Sequence, residues 1–203
     1  MSTVPVRRMT PAEYLARERT ADFKSGFYRG EMFAMAGASR NHNLIMMNVG
    51  AALHQRLADK PCEVYGSDLR VLVDRTGLYT YPDVVVTCGE PQFEDEHVDT
   101  LLNPRVLVEV LSKSTEAYDR GTKSSHYRMI PSLQEYLLIA QHEPRVEVYQ
   151  RHEAGTWLLS EARSLEESVH LPSLDLTLAL ADVYSKIEFQ PETELEEPRT
   201  GQR

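Results

Sequence analysis

Two carboxylates stand where the sequence pattern asks for apolar side chains. In Pro82-Asp83-Val84-Val85-Val86, strand alternation puts Asp83 on the face of Val85. In Leu107-Val108-Glu109-Val110-Leu111, Glu109 shares its face with two leucines. Burying a lone carboxylate is very costly, so each acid needs a cation or several hydrogen bonds. Two such acids on successive buried strands could hold one divalent metal between them. The alternative is that each pairs privately with an Arg or Lys. Pro82 has no N–H to give to a ladder, so it belongs at a strand's beginning or edge, which places Asp83 near an accessible end.

Weaker candidates surround this pair. Glu31 lies in the apolar stretch Gly30-Glu31-Met32-Phe33-Ala34-Met35, where a strand glutamate is more often simply solvated. His42 falls in the first turn of a helix, on the face of Ile45, and is more often a satisfied core residue there. The positive end of the helix dipole favours a neutral ring, free to donate, accept or ligate. Asp119, Lys123 and Tyr127 are spaced at i, i+4 and i+8, with Arg120 flanking. A helix that follows a strand can lean over the strand's end, so Lys123 could reach Asp83 and Glu109. The competing role for Lys123 is an exposed pair with Asp119, worth roughly a few tenths of a kcal/mol.

The elements that must position these residues follow from the pattern. Thr10-Pro11-Ala12-Glu13 opens a short helix with a capping box. Residues 26–36 read as a hairpin with bends at Gly30 and Gly37. Ser39 caps a helix running to about Ala58, with Ile45, Val49, Ala52 and Leu53 as its apolar stripe, and Pro61 stops it. Strands are predicted over 62–74, 79–88 and 105–111, the last two rich in valine as expected of a sheet covered on both faces. The acidic stretch 89–99 reads as a solvated loop. A helix is predicted over 115–129, with Gly121 its weak point. Strands over 135–139, 145–150 and 157–160 and a helix over 174–184 complete one domain across 1–189. Residues 190–203 read as a flexible acidic tail.

Composition narrows the function. The 203 residues are 41% apolar and 26% charged, enough for a real core. No apolar run is long enough to span a membrane, and Met1 to Pro11 lack a secretory pattern. With 31 acids against 22 bases, simple basic-patch binding to duplex nucleic acid is disfavoured. Acids of the tail and of the 89–99 loop account for most of the net charge of −9, while Arg40, Lys113, Arg120, Lys123 and Arg128 are expected around the site. Cys62 and Cys88, 26 apart, form neither a zinc motif nor a disulfide framework, and Cys88 reads as a buried thiol. Scarce cysteine and the absent signal point to the cytoplasm.

The ordered set Glu31, His42, Pro82-Asp83, Glu109-Val110-Leu111-Ser112, Asp119-Arg120-Gly121-Thr122-Lys123 and Tyr127-Arg128 resembles the Uma-two family, within the PD-(D/E)XK restriction-endonuclease-like superfamily. The resemblance runs from Met9 to Tyr184 and is most specific over Tyr81 to Val86 and Val108 to Thr115. It implies an α/β fold with a restriction-endonuclease-like core, a mixed central β-sheet flanked by helices. It also implies a Mg²⁺-dependent endonuclease that hydrolyses phosphodiester bonds of nucleic acid, DNA foremost, with Mn²⁺ a possible substitute. Asp83 and Glu109 would hold one or two ions, Glu31 would be an accessory metal or water ligand, and His42 would border the pocket.

One position departs from the superfamily pattern, which places a lysine two residues after the glutamate; here it is Leu111. Lys123 is preferred over Lys113 as its replacement. Without that cation the chain would be a degenerate nuclease-like fold, a dimeric interaction or regulatory module. Free strand edges and the apolar residues between Glu135 and Leu159 favour a homodimer. The acidity predicts weak, salt-sensitive nucleic-acid binding when no metal is present.

Overall fold

The capping signals at both predicted helix starts are used as such. In a computed structural model that describes residues 8–35 and 37–189, Thr10 accepts from the Glu13 N–H and receives the Glu13 carboxylate on its own N–H, opening α1 (Pro11–Glu18). Ser39 accepts from the His42 N–H and opens α2 (Arg40–Arg56). Between them, β1 (Ser25–Tyr28) and β2 (Glu31–Ala34) form the expected hairpin. Arg29 and Gly30 both have positive φ at its turn, and a Cβ on Gly30 would lie 2.5 Å from that of Arg8.

Two predicted strands each prove to be two. The first divides into β3 (Cys62–Gly66) and β4 (Arg70–Val73), the second into β5 (Leu78–Thr80) and β6 (Val84–Cys88). In both cases the halves join different sheets. Pro82 supplies no donor at the second break, and the chain leaves one ladder for the other there. With β7 (Thr100–Leu101), a five-stranded sheet runs β2-β1-β5-β4-β7.

The central sheet is mixed, as expected. Its order is β11-β10-β9-β8-β6-β3, where β8 is Val106–Val110, β9 Glu135–Ile139, β10 Val146–Arg151 and β11 Trp157–Ala162. Only the β8–β9 pair is parallel. Their crossover is helical: α3 (Glu116–Tyr118), a π-helical turn (Asp119–Lys123) and α4 (Ser124–Tyr127). The predicted weak point at Gly121 coincides with this π-turn. Alternation divides the sheet cleanly. Val84, Val86, Val106 and Val108 pack with Ile45, Val49 and Leu53 of α2. Val85, Leu107 and Leu111 pack with Tyr127, Ile130 and Tyr136 on the other face.

Three further expectations need correction. The helix predicted over 174–184 is a hairpin strand followed by one helical turn. β12 (Ser168–Leu171), unpredicted, pairs with β13 (Leu176–Ala179), and α5 (Leu180–Val183) follows. Leu176 and Leu178 alternate with Thr177 and Ala179, and Asp175 in the left-handed region ends any helical run. The acidic loop is not merely solvated: Arg19 pairs with Asp95 and Asp99, and Tyr79 donates to Glu94. Cys88 is no free thiol. Cys62 stands directly across from it in the β3–β6 ladder, and the two form a disulfide. The cytoplasmic expectation therefore loses the support it drew from cysteine usage. No helix among the described residues is long and apolar enough to cross a membrane. The tail over 190–203 lies outside the described residues.

Candidate active site

Asp83 sits where the chain enters the central sheet. Val84 pairs with Val108, and one residue further out the Asp83 N–H donates to the Val108 carbonyl at 3.1 Å. The ladder then passes to the side chain, since the Val110 N–H donates to Asp83 Oδ2 at 2.7 Å. The Val108 carbonyl on one side of Glu109 and the Val110 N–H on the other are thus both committed to Asp83, which fixes the two carboxylates as neighbours where β6 begins and β8 ends. His42 Nε2 lies 3.2 Å from the same Oδ2, brought there by the Ser39 cap at the start of α2.

Glu109 is buried, and Lys123 is the lysine the fold brings to it. Lys123 Nζ is 2.7 Å from Glu109 Oε1 and 3.2 Å from Asp119 Oδ1, with all three side chains almost fully enclosed. Tyr127 donates its hydroxyl to the same Oε1 at 2.7 Å. The π-turn has a role here. In a regular helix, positions i, i+4 and i+8 drift steadily around the axis. Closing one turn i→i+5 opens it and brings Asp119, Lys123 and Tyr127 closer to a common line facing Glu109. Leu111, where the superfamily pattern has a lysine, is a buried leucine in the core under this helix.

The electrostatics are those of a strongly coupled buried group. Burial pushes the Glu109 carboxyl up to about 8; Lys123 opposes the rise, and Asp83 and Asp119 add to it. Burial alone would lower the Lys123 ammonium, but Glu109, Asp119 and Asp83 more than reverse this, so it lies above the ordinary lysine range. Burial and the adjacent Glu109 likewise hold the Tyr127 hydroxyl neutral.

His42 with Asp83 and Lys123 with Glu109 thus form two contacting pairs, joined through the Val108 and Val110 backbone on either side of Glu109. Glu31 is not joined to them: it is exposed on β2, across from Tyr28, whose ring meets that of His126 edge-on at 4.8 Å. Lys113 is exposed beyond the end of β8 and makes no ion pair with the cluster. The predicted gathering of cations is corrected likewise. Arg120 turns to Glu116 and Glu147, Arg128 to Ser125 and Arg40 to Asn41, leaving Lys123 as the cation on these carboxylates among the described residues. Sequence reasoning missed Gln141, which donates to the Leu111 carbonyl at 2.6 Å and accepts from Ser39 Oγ at 2.5 Å. It ties the cap of α2 to the end of β8. Nothing in its local sequence signals this, because only the β8–β9 pairing brings it there.

The donor set suits a hard cation that keeps its water. Among the described residues no group of three or more His, Cys, Asp or Glu forms a ready cage. Mg²⁺ needs none, being held by one or two carboxylates with waters completing the octahedron. Contacts converge on Asp83 Oδ2 and Glu109 Oε1, and these two residues would supply the carboxylate ligands to such an ion. The residues present fit such an ion.

Comparison with known proteins agrees with this architecture. Residues 11–181 match the Uma2 family model, described as "Putative restriction endonuclease". Two proteins of Synechocystis sp. are similar along most of their length. "Uncharacterized protein sll1609" is 42% identical over 161 residues, 79% of this chain and 91% of that protein. "Uncharacterized protein slr1290" is 34% identical over 187 residues, 92% of this chain and 97% of that one. A crystal structure of "a putative nuclease belonging to DUF820" from Anabaena variabilis superposes with a TM-score of 0.70, covering 86% of this chain and 96% of that one. At 18% identity that likeness is one of fold.

Proposed function

The chain belongs to the Uma2 family, and from that premise and the geometry of its buried carboxylates we propose a divalent-metal-dependent endonuclease acting on phosphodiester bonds, DNA foremost. Asp83 and Glu109 would hold Mg²⁺ in this reading, with Mn²⁺ as substitute; Glu31, exposed on the hairpin and without a contact to them, would serve only as an outlying accessory acid. The bound ion supplies a polarised phosphate and a water of lowered pKa. Lys123, held protonated by its acidic neighbours, acts as a fixed positive charge toward the phosphate and is no general base. His42, with Nε2 3.2 Å from Asp83 Oδ2, orients Asp83. Tyr127 holds Glu109 through its hydroxyl.

The observation that carries this reading is the buried Lys123–Glu109 contact beside Asp83. It supplies, from the crossover helix, the cation that Leu111 cannot. The degenerate-fold alternative drew on that missing lysine and on the net charge of −9. Nicking of supercoiled plasmid is the test: wild type should cut with Mg²⁺ and stop with chelator, and Asp83→Ala should not cut. Equal cutting by both would mean a contaminating nuclease and end the reading.

We also propose a homodimer through β11, the free edge of the central sheet, where Leu158 and Leu159 are exposed. Light scattering that finds only a monomer at working concentration removes it.

A further inference from the structure

A groove of about 260 Å³ lies between α2 and β3, with Asp83 in its lining. Met46, Met47, Gly50 and His54 line it from the helix, Val64 and Gly66 from the strand. Gly50 is the telling residue. It sits mid-helix, where glycine costs about 1 kcal/mol relative to alanine, yet a Cβ there would meet nothing within 4 Å. Packing therefore does not ask for glycine. Gly66 on the opposite wall is equally uncrowded. Met47, beside Gly50, leaves 62% of its surface exposed. Two missing side chains keep the groove open, and Asp83 of the candidate site is among the residues that line it.

We propose that this groove takes the nucleobase adjoining the scissile phosphodiester, so that the substrate is single-stranded or locally unpaired nucleic acid. The proposal rests on the nuclease reading, because the phosphate drawn to an ion held at Asp83 would determine which base lies beside the groove. The size suits one planar ring system and is below the roughly 300–1,000 Å³ of pockets for larger ligands. Thioethers and an imidazole offer a soft, flat-packing wall of the kind that receives a base face. A base in a duplex has both faces stacked and cannot enter without being extruded. The net charge of −9 fits this selectivity: a chain with little attraction for duplex phosphates gains from contacts to the base itself.

The test uses the full chain and a DNA oligonucleotide carrying 2-aminopurine, with Ca²⁺ in place of Mg²⁺ so that binding is read without cleavage. The single strand should change the probe's emission saturably, and the same strand annealed to its complement should bind more weakly. Gly50→Leu, which fills the groove and improves helix propensity, should weaken single-strand binding by about ten-fold, the lower part of what one base stack is worth. Gly66→Val repeats the test from the other wall should the helix variant fail to fold. No emission change with wild type, equal binding of single strand and duplex, or wild-type binding by both variants overturns the proposal. Cleavage in Mg²⁺ is scored separately. Wild type that binds the base but cuts nothing removes the nuclease reading and leaves the groove standing. Groove-filled variants that cut single strands like wild type remove the groove and leave the nuclease.

Discussion

The ammonium of Lys123 lies 2.7 Å from Oε1 of Glu109, and both side chains are withdrawn from solvent. Such a pair contributes little net stability against an apolar substitute, but breaking it leaves an unpaired buried charge at a cost of roughly 3–5 kcal/mol. Lys123→Met should therefore destabilise the protein by about 3 kcal/mol at pH 9, where Glu109 is ionised. At pH 6 the loss should be smaller, because Glu109 can take a proton instead. Urea unfolding at the two pH values measures this. Cleavage by the variant should fall about 100-fold or more through loss of the fixed charge. An identical stability loss at both pH values would show that Glu109 is not the partner.

The raised Glu109 carboxyl makes a pH prediction with a definite sign. Its pKa is about 8 in the folded chain against an ordinary value of 4.5. The folded state thus binds more protons than the unfolded state between those values, and this group's contribution to stability falls as pH rises through that window. A divalent ion needs the carboxylate, so its affinity should rise with pH over the same interval and its binding should release a proton. Calorimetry in buffers of different ionisation enthalpy counts that proton. Glu109→Gln should abolish both the proton release and most of the affinity; a pH-independent affinity in the wild type removes the prediction.

What could be read in advance was what costs free energy when misplaced. Asp83 and Glu109 stood out because a carboxylate in a buried strand must be compensated, whatever the fold. Ser39 and Thr10 stood out because unpaired helix N–H groups need acceptors close in sequence. The breaks at 66–70 and 80–84 carry local signals, Gly66-Ser67-Asp68 and Pro82-Asp83, but nothing local says that the chain changes sheet there. The disulfide was hidden because it depends on the register of β3 against β6. Gln141 and the free edge of β11 are properties of pairing between distant strands, which local pattern does not carry.

The disulfide has its own consequence. Cys62–Cys88 closes a loop with a sequence separation of 26 and pins the edge strand β3 to β6. On the chain-entropy model such a closure is worth about 3 kcal/mol. Reduction, or Cys62→Ser with Cys88→Ser, should lower the thermal midpoint by several degrees. Asp83 is at the opposite end of β6, so Mg²⁺ affinity should change little. An unchanged midpoint on adding reductant would contradict the cross-link.

Leu111 offers the sharpest test of where this chain keeps its lysine. Its side chain is 3% exposed and packs with Val85, Leu107, Tyr127 and Leu138, beneath the helix that delivers Lys123. In Leu111→Lys, the new ammonium would enter an apolar layer whose nearest carboxylate is already neutralised by Lys123 and Tyr127. The variant should lose roughly 2–5 kcal/mol of stability, through lost leucine packing and an unpaired charge. Combined with Lys123→Met, the added lysine has a partner in Glu109, so the two stability losses should fall short of their sum. Cleavage should nevertheless stay low, because the strand lysine would approach Glu109 from within the sheet and not from the helix. A double variant that regains wild-type cutting would show that the site accepts its cation from either element, and that Leu111 marks an exchange of position and not a constraint of this core.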